Sequence, residues 1–425
     1  MKTNGKDTKL GVVPALRFPE FDNYWDIKEL SKIANLIKER ARNGNYTPMS
    51  VTSGVGLVSQ KEKFGRDISG NQYSSYFVIR KGDFAYNKSA TNLYPEGYIS
   101  MLKKLEIAAV PNSIFTCFKV NRKEVLPEYL DYLFENNYHG KWLRKFIEVG
   151  ARAHGSLSID TKKLFELPIV FPSINEQQKI ADCLSSIDAL IKATENKIDE
   201  LKAHKKGLMQ QLFPAEGKTT PVLRFPEFQN IGEWNVIELG KLASRVIKKN
   251  RLGYISKVLT NSAAGGVVDQ AEYFDRNIVS ENNLHNYYVI ENGDYVYNPR
   301  VSASAPVGPI SKNYIGQGVM SPLYIIFRFH NIENEFYNQY FKTKYWHKYL
   351  KNVANQGARF DRMNIATNDF MNMPLPVPAQ AEQQKIADCL SSIDDLIMAQ
   401  TNRLEALKAH KKGLMQQLFP NIDEC

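Results

Sequence analysis

Tyr297-Asn-Pro-Arg300 comes nearest to a reaction loop in this sequence, because an Asn-Pro turn can hold the amine of a base for methylation. The second proline and the aromatic residue of such loops are absent, so the stretch reads as a turn after a strand. Glu195-Asn-Lys197 has the acid-x-Lys ending of a nuclease site, but it lies in a helical pattern without the upstream acid. There is no Gly-x-x-x-x-Gly-Lys-Ser/Thr loop for a nucleoside triphosphate. Nor does a Gly-rich strand-to-helix turn precede a ribose-binding acid. The seven histidines are dispersed, and Cys117, Cys183, Cys389 and Cys425 form no C-x-x-C pair, so neither a zinc site nor a disulfide framework is indicated. What remains is charge: 55 basic against 45 acidic side chains, a net of +10, suggests a polyanionic partner.

The elements that must carry this charge are set by a duplication. The 425 residues are long enough for two or three domains, and 43% apolar, 24% charged and 11% aromatic residues are ordinary globular values. No apolar run approaches a membrane span. The polar, lysine-rich Met1 to Leu10 stretch does not resemble a signal peptide, and the expectation is a cytoplasmic protein. Glu176 to Asp188 recurs letter for letter at Glu382 to Asp394, and Leu201 to Pro214 recurs at Leu407 to Pro420. Between these blocks only landmarks return in order. Leu16-Arg-Phe-Pro-Glu-Phe21 reappears as Leu223 to Phe228, Gly82-Asp83 as Gly293-Asp294, and Gly150-Ala-Arg152 as Gly357-Ala-Arg359. The order is variable, constant, variable, constant.

The constant blocks predict long helices. Ile180, Leu184, Ile187, Ile191, Thr194, Ile198, Leu201, Lys205, Leu208 and Leu212 follow a 4-3 spacing, the seam of a coiled coil. Ile386, Leu390, Ile393, Ile397, Gln400, Leu404, Leu407, Lys411, Leu414 and Leu418 repeat it. Ser173-Ile-Asn-Glu176 has the form of a capping box, and Pro214 and Pro420 cannot continue the helices before them. Two matched seams in one chain favour an antiparallel intramolecular pair, with a homodimeric coiled coil as the alternative. Lys205 and Lys411 could fix its register.

The variable blocks read as mixed α/β units. Tyr76 to Arg80, Phe84 to Tyr86, Ile114 to Val120 and Tyr324 to Phe329 have strand composition; Glu128 to Phe134, Gly140 to Glu148 and Phe336 to Val353 have helical spacing. Residues 176–214 and 382–420 are each charge-balanced, so the excess positive charge lies in the variable blocks. Two basic domains on a neutral rod could touch a duplex at two places.

In this pattern the chain resembles the DNA specificity subunits of type I restriction–modification systems. The resemblance rests on Pro-x-x-x-Glu-Gln-x-Lys-Ile-Ala at Pro172 to Ala181, its shorter return at Pro378 to Ala387, the helix ends Lys205 to Phe213 and Lys411 to Phe419, and the segments Gly82 to Asn87 and Gly293 to Asn298. It implies an α/β (α+β) fold with two target recognition domains, 1–172 and 215–378, each reading half of a bipartite site. Helices 173–214 and 379–420 would form the antiparallel coiled coil, setting the spacer and docking partners, with a tail at 421–425. Implied partners are double-stranded DNA, two modification subunits that bind S-adenosylmethionine and methylate adenine N6, and, for cleavage, two restriction subunits using ATP and magnesium. This chain itself would hold no cofactor and perform no catalysis.

Base edges are read by Arg, Lys, Asn and Gln, while other basic groups hold phosphates. In the first domain the candidates are Thr52, Ser53 and Gly54; Gln60, Lys61, Lys63 and Arg66; Asn87, Lys88 and Ser89; and Arg152, His154 and Ser156. In the second they are Asn261, Ser262, Arg276, Asn298, Arg300, Ser302, Gln356, Arg359 and Arg362. For any one of the basic residues the alternative is a solvated surface charge. Gly82-Asp83 and Gly293-Asp294 suit turns instead. Gln177, Gln178, Gln383 and Gln384, with Gln210, Gln211, Gln416 and Gln417 at the helix ends, are candidate outward positions for partner docking. Divergent domains on a matched scaffold predict an asymmetric target. Two competing readings remain: a self-contained methyltransferase or nuclease, which isolated-chain cofactor binding would favour, and a coiled-coil scaffold that binds no DNA.

Overall fold

Alternation along Phe84-Ala-Tyr-Asn87 and Phe115-Thr-Cys-Phe-Lys-Val120 decides how the first half folds, because successive side chains of a strand face opposite ways. In the computed structural model, which describes residues 13–147, 159–274, 281–355 and 361–421, both stretches are central strands with an apolar core on each face. Phe84, Tyr86 and Phe118 point to one core with Tyr129 and Phe134 of the helix Pro127–Glu135; Ala85 and Cys117 point to another with Val51, Ile79 and Val110. Phe84 sits opposite Phe118 across the ladder, and their rings stack at 5.2 Å.

The chain forms two compact units, Met1–Glu195 with Asn402–Cys425, and Asn196–Thr401. Strands of the first are β1 (Asp26–Glu29), β2 (Ala34–Leu36), β3 (Met49–Thr52), β4 (Gly56–Ser59), β5 (Phe77–Arg80), β6 (Phe84–Asn87), β7 (Tyr98–Met101), β8 (Ile107–Val110), β9 (Phe115–Val120) and β10 (Pro168–Phe171). They form a central sheet in the order β2-β9-β6-β7 and the pairs β1-β10, β3-β4 and β5-β8. Those of the second are β11 (Asn235–Glu238), β12 (Ala243–Arg245), β13 (Leu259–Ser262), β14 (Gly266–Asp269), β15 (Tyr288–Ile290), β16 (Tyr295–Tyr297), β17 (Ile310–Lys312), β18 (Gly318–Met320), β19 (Ile325–Phe329) and β20 (Pro374–Val377). Their order, β12-β19-β16-β17 with β11-β20, β13-β14 and β15-β18, repeats the first unit strand for strand. Each ladder between these named strands is antiparallel, which makes the units α+β.

Two long helices, Ile174–Leu212 and Gln380–Leu418, have 39 residues each. The unit boundary falls inside both, at Glu195 and Thr401, not at their starts. The cause is packing. In the first unit Ile180 and Leu184 share a core with Met415, Leu418 and Phe419, and Lys411 and Lys408 reach Asp188 and Glu195 at 2.7 and 3.5 Å, so these segments run antiparallel. In the second unit Leu212 and Phe213 share a core with Ile386 and Leu390. Every apolar seam position named from the sequence is buried or half-buried.

Two expectations change in detail. Ser173 Oγ accepts from Glu176 N at 3.5 Å, but the Glu176 carboxylate goes to Arg17 and does not close a capping box. A complete capping box forms instead at Ser59 and Glu62, ahead of the short helix Gln60–Phe64. Phe336 to Val353 is not one helix but two, Glu335–Tyr340 and His347–Val353. Between them the Thr343 hydroxyl donates to Tyr340 O at 2.7 Å, and Trp346 is buried with its indole N–H on Phe341 O.

Candidate nucleic-acid interface

The first domain presents its candidate residues on turns that glycine makes possible. Gly54 and Gly56 have φ of 76° and 102°, and they close the β3-β4 hairpin with Thr52 opposite Gly56. Lys63, from the short helix that follows, lies 3.3 Å from both Ser50 Oγ and Val51 O, and burial pushes its ammonium below the usual lysine range. Lys61 and Arg66 are exposed. At the end of β6 the Asn87 amide donates towards Val51 O at 3.5 Å and accepts from Ser89 N at 3.0 Å, which ties the Lys88-Ser89 turn to the hairpin. Hairpin, short helix and turn therefore form one surface.

The second domain assembles an equivalent surface from different residues. Asn261, 1% exposed, donates to Val296 O at 2.7 Å and Pro309 O at 3.2 Å, and Asn298 donates to Asn261 O at 2.7 Å. Ser262 Oγ accepts from Gly265 N at 2.8 Å inside the β13-β14 turn. Asn298 Oδ1 accepts from Arg300 N, and the backbone around Arg300 pairs with that around Arg362. Arg300 and Ser302 are exposed and Arg362 is half-buried, so residues distant in sequence come together beside the hairpin.

This geometry corrects several assignments. Gln60 is 1% exposed, bonding Tyr76 OH and Ile68 N, while Asn87 and Asn261 are buried and hold turns; none offers an accessible amide to a base. Gln177 and Gln383 are not outward either. The Gln177 side chain donates to Pro172 O and Glu124 O and accepts from Leu126 N, and Gln383 donates to Pro378 O. Both anchor a helix start to its own domain. Gln178, Gln384, Gln210, Gln211, Gln416 and Gln417 are exposed. Gly82 and Gly293, at φ of 87° and 88°, do make turns, with Asp83 and Asp294 accepting from Arg80 N and Glu291 N at 2.7 Å. Arg152, His154, Ser156, Arg276, Gln356 and Arg359 lie outside the described residues.

The sequence reading passed over two features. The loop after β12 exposes Lys248, Lys249, Arg251 and Lys257 with Leu252 and Tyr254, and none of these basic groups has an ion-pair partner among the described residues. Its signal was present, as basic residues interleaved with an aromatic side chain. On the long helices Leu190 and Leu396, repeat partners, are 47% and 52% exposed. Their places outside the seam were visible in the heptad.

The family model described as type I restriction modification DNA specificity domain matches residues 24–203 and again 210–409. The MjaX type I restriction enzyme specificity subunit of Methanocaldococcus jannaschii is 26% identical over 440 residues, spanning 98% of this chain and 96% of that protein. The MjaVIII specificity subunit of the same organism is 27% identical over 323 residues, 72% of each chain. Among solved structures, a type I restriction-modification system S subunit from M. genitalium aligns with a TM-score of 0.56 and 16% identity, covering 96% of this chain and 99% of that one. A chain from a study of assembly and conformational transition of the type I R-M system aligns at 0.52 and 16%, covering 94% and 98%. The structural matches support the fold.

Proposed function

Because the chain belongs to the type I restriction modification DNA specificity family, we propose that its two units read the two halves of one asymmetric, bipartite duplex target. It is a non-catalytic specificity subunit with two target recognition domains. The observation that carries the asymmetric reading is the repetition of one strand topology with different side chains on the equivalent surface: Lys61, Lys63, Arg66 and Lys88 in one unit, Arg300, Ser302 and Arg362 in the other. The same backbone offers different donors, and different donors select different base edges.

In this reading the long helices form an antiparallel coiled coil that sets the spacer, and their outward faces dock two modification subunits. Those partners supply S-adenosylmethionine and methylate adenine N6. Restriction subunits, where they join, supply ATP-driven translocation and cleavage. The assembly works in the cytoplasm, in keeping with the finding that no helix of the described residues is long and apolar enough to cross a membrane.

Footprinting of the assembled complex tests the reading. Two protected patches are expected, about one helical turn apart, roughly 34 Å between centres. One contiguous patch would contradict it.

A further inference from the structure

The two copies of the helix scaffold carry the same seam lysine in opposite surroundings. In the first unit Lys411 meets Asp188 Oδ1 at 2.7 Å and Glu135 Oε1 at 2.6 Å, and Lys408 meets Glu195 at 3.5 Å. In the second unit its repeat partner Lys205 meets Asp394 Oδ2 at 2.5 Å, and the same oxygen also receives Lys342 at 3.0 Å and Gln339 at 3.1 Å. Lys342 stands in the place of Glu135, Lys344 in that of Asn137, and Thr401 in that of Glu195. Two acids have gone and two lysines have come, all changes of one sign.

The result is a lysine groove in the second unit. Lys202, Lys205, Lys206, Lys342 and Lys344 line it beside Met209 and Ile397, with Asp394 its lone carboxylate. Lys202, Lys206 and Lys344 are exposed and have no ion-pair partner among the described residues. Burial holds the Lys205 ammonium below the usual lysine range against the pull of Asp394, and the Lys342 charge adds to that depression. The groove shares the Lys342–Lys344 turn with a second depression, whose wall includes Ala263 and Gly265 of the β13-β14 hairpin. Two adjoining depressions thus lead from the candidate base-reading hairpin, past Lys342 and Lys344, to the lysines of the helix Ile174–Leu212.

We propose that this groove is a phosphate track that takes the sugar–phosphate backbone of duplex DNA beside the half-site read by the second unit. Lysines are flexible point charges suited to successive phosphates, and Lys202 and Lys206, four residues apart, present neighbouring ammoniums on one helix face. In the first unit the equivalent Lys408 and Lys411 face Glu195, Asp188 and Glu135, and no such track forms among the described residues. The two half-sites therefore differ in their share of salt-dependent affinity. The inference rests on the DNA-reading function proposed above.

The test uses the full chain assembled with its modification subunits and a duplex bearing the motif it methylates, with binding measured across a salt series. Lys202→Ala/Lys206→Ala/Lys344→Ala is the probe, and Lys408→Ala/Lys412→Ala is the matched control in the first unit. The slope of log affinity against log salt should fall by about two to three for the triple variant and by less than about one for the control. Near physiological salt the triple variant should bind at least about tenfold more weakly. An unchanged slope, or an equal loss in the control, overturns the proposal. So does loss of co-purifying modification subunit with DNA binding intact, which would assign the groove to an acidic protein segment. Failure of the wild-type complex to prefer its motif over a scrambled duplex would instead sink the underlying function.

Discussion

Arg17 grips Glu176 with two bonds, Nε to Oε1 at 2.7 Å and Nη2 to Oε2 at 2.8 Å. Arg224 repeats the grip on Glu382, with both bonds at 2.7 Å. Next to each arginine a backbone N–H caps the other long helix: Leu16 N donates to Gln417 O, and Leu223 N donates to Gln211 O, both at 2.9 Å. The repeated Leu-Arg-Phe-Pro-Glu-Phe segment is thus a clasp that holds the start of one helix and the end of the other.

Breaking the clasp should be costly. Glu176 and Glu382 are 1% and 0% exposed, so Arg17→Ala or Arg224→Ala leaves a buried carboxylate without its partner, a loss of about 3 to 5 kcal/mol. Urea unfolding of each variant measures it. Arg17→Ala/Glu176→Ala should recover part of the loss, and a double variant as unstable as the simple sum would contradict the pairing.

The seam lysines should respond unequally. Lys411→Met leaves Asp188 and Glu135 facing each other without their shared cation, whereas Lys205→Met leaves Asp394 still bonded to Lys342 and Gln339. The first change should destabilise by about 1 to 3 kcal/mol and the second by clearly less. Hydrogen exchange at the two helix segments reads both, and equal effects would refute the asymmetry.

Acid should weaken the first unit through His139. Its ring is fully buried between Tyr86 and Phe134, and burial pushes the imidazole down to about 4 from an ordinary 6.5. The folded protein keeps the ring neutral while the unfolded chain protonates near 6.5, so stability falls as pH drops from 6.5 to about 4 and levels off below. The loss attributable to this ring is about 3 kcal/mol, at about 1.4 kcal/mol per unit. His139→Phe should remove that part of the pH dependence; equal acid sensitivity in variant and wild type would rule the cause out.

Base reading should separate Arg300 from Asn261. Arg300→Ala removes an exposed donor, with a cost to target affinity of about 1 to 3 kcal/mol, relaxed specificity at one position of one half-site, and little change in thermal stability. Asn261→Ala instead leaves Val296 O without its buried donor and should lower stability first. Thermal melting alongside a binding assay on single-base-substituted duplexes distinguishes the two.

Much of this is legible in the sequence. The repeat and its 4-3 spacing locate both long helices and their seams, and aromatic and β-branched composition locates the strands around Phe84 and Phe118, because period and composition encode burial directly. The use of each polar side chain was not legible. Asn87, Asn261 and Gln60 have the amide chemistry of base readers, but Asn87 and Asn261 spend it on backbone groups of their own domain and Gln60 on Ile68 N and the Tyr76 hydroxyl, and sequence does not say which neighbour satisfies an amide. The break in Phe336 to Val353 was hidden for a similar reason, since helical spacing does not reveal that Thr343 turns its hydroxyl back to Tyr340 O.

In the proposed function one chain reads two different half-sites, one with each unit. Its most direct test is methylation-sensitive single-molecule sequencing of DNA from cells expressing this chain with its modification subunit. N6-methyladenine is expected in a motif of two unlike half-sites separated by a fixed gap. A palindromic motif, a contiguous one, or none at all from an assembled complex would contradict it.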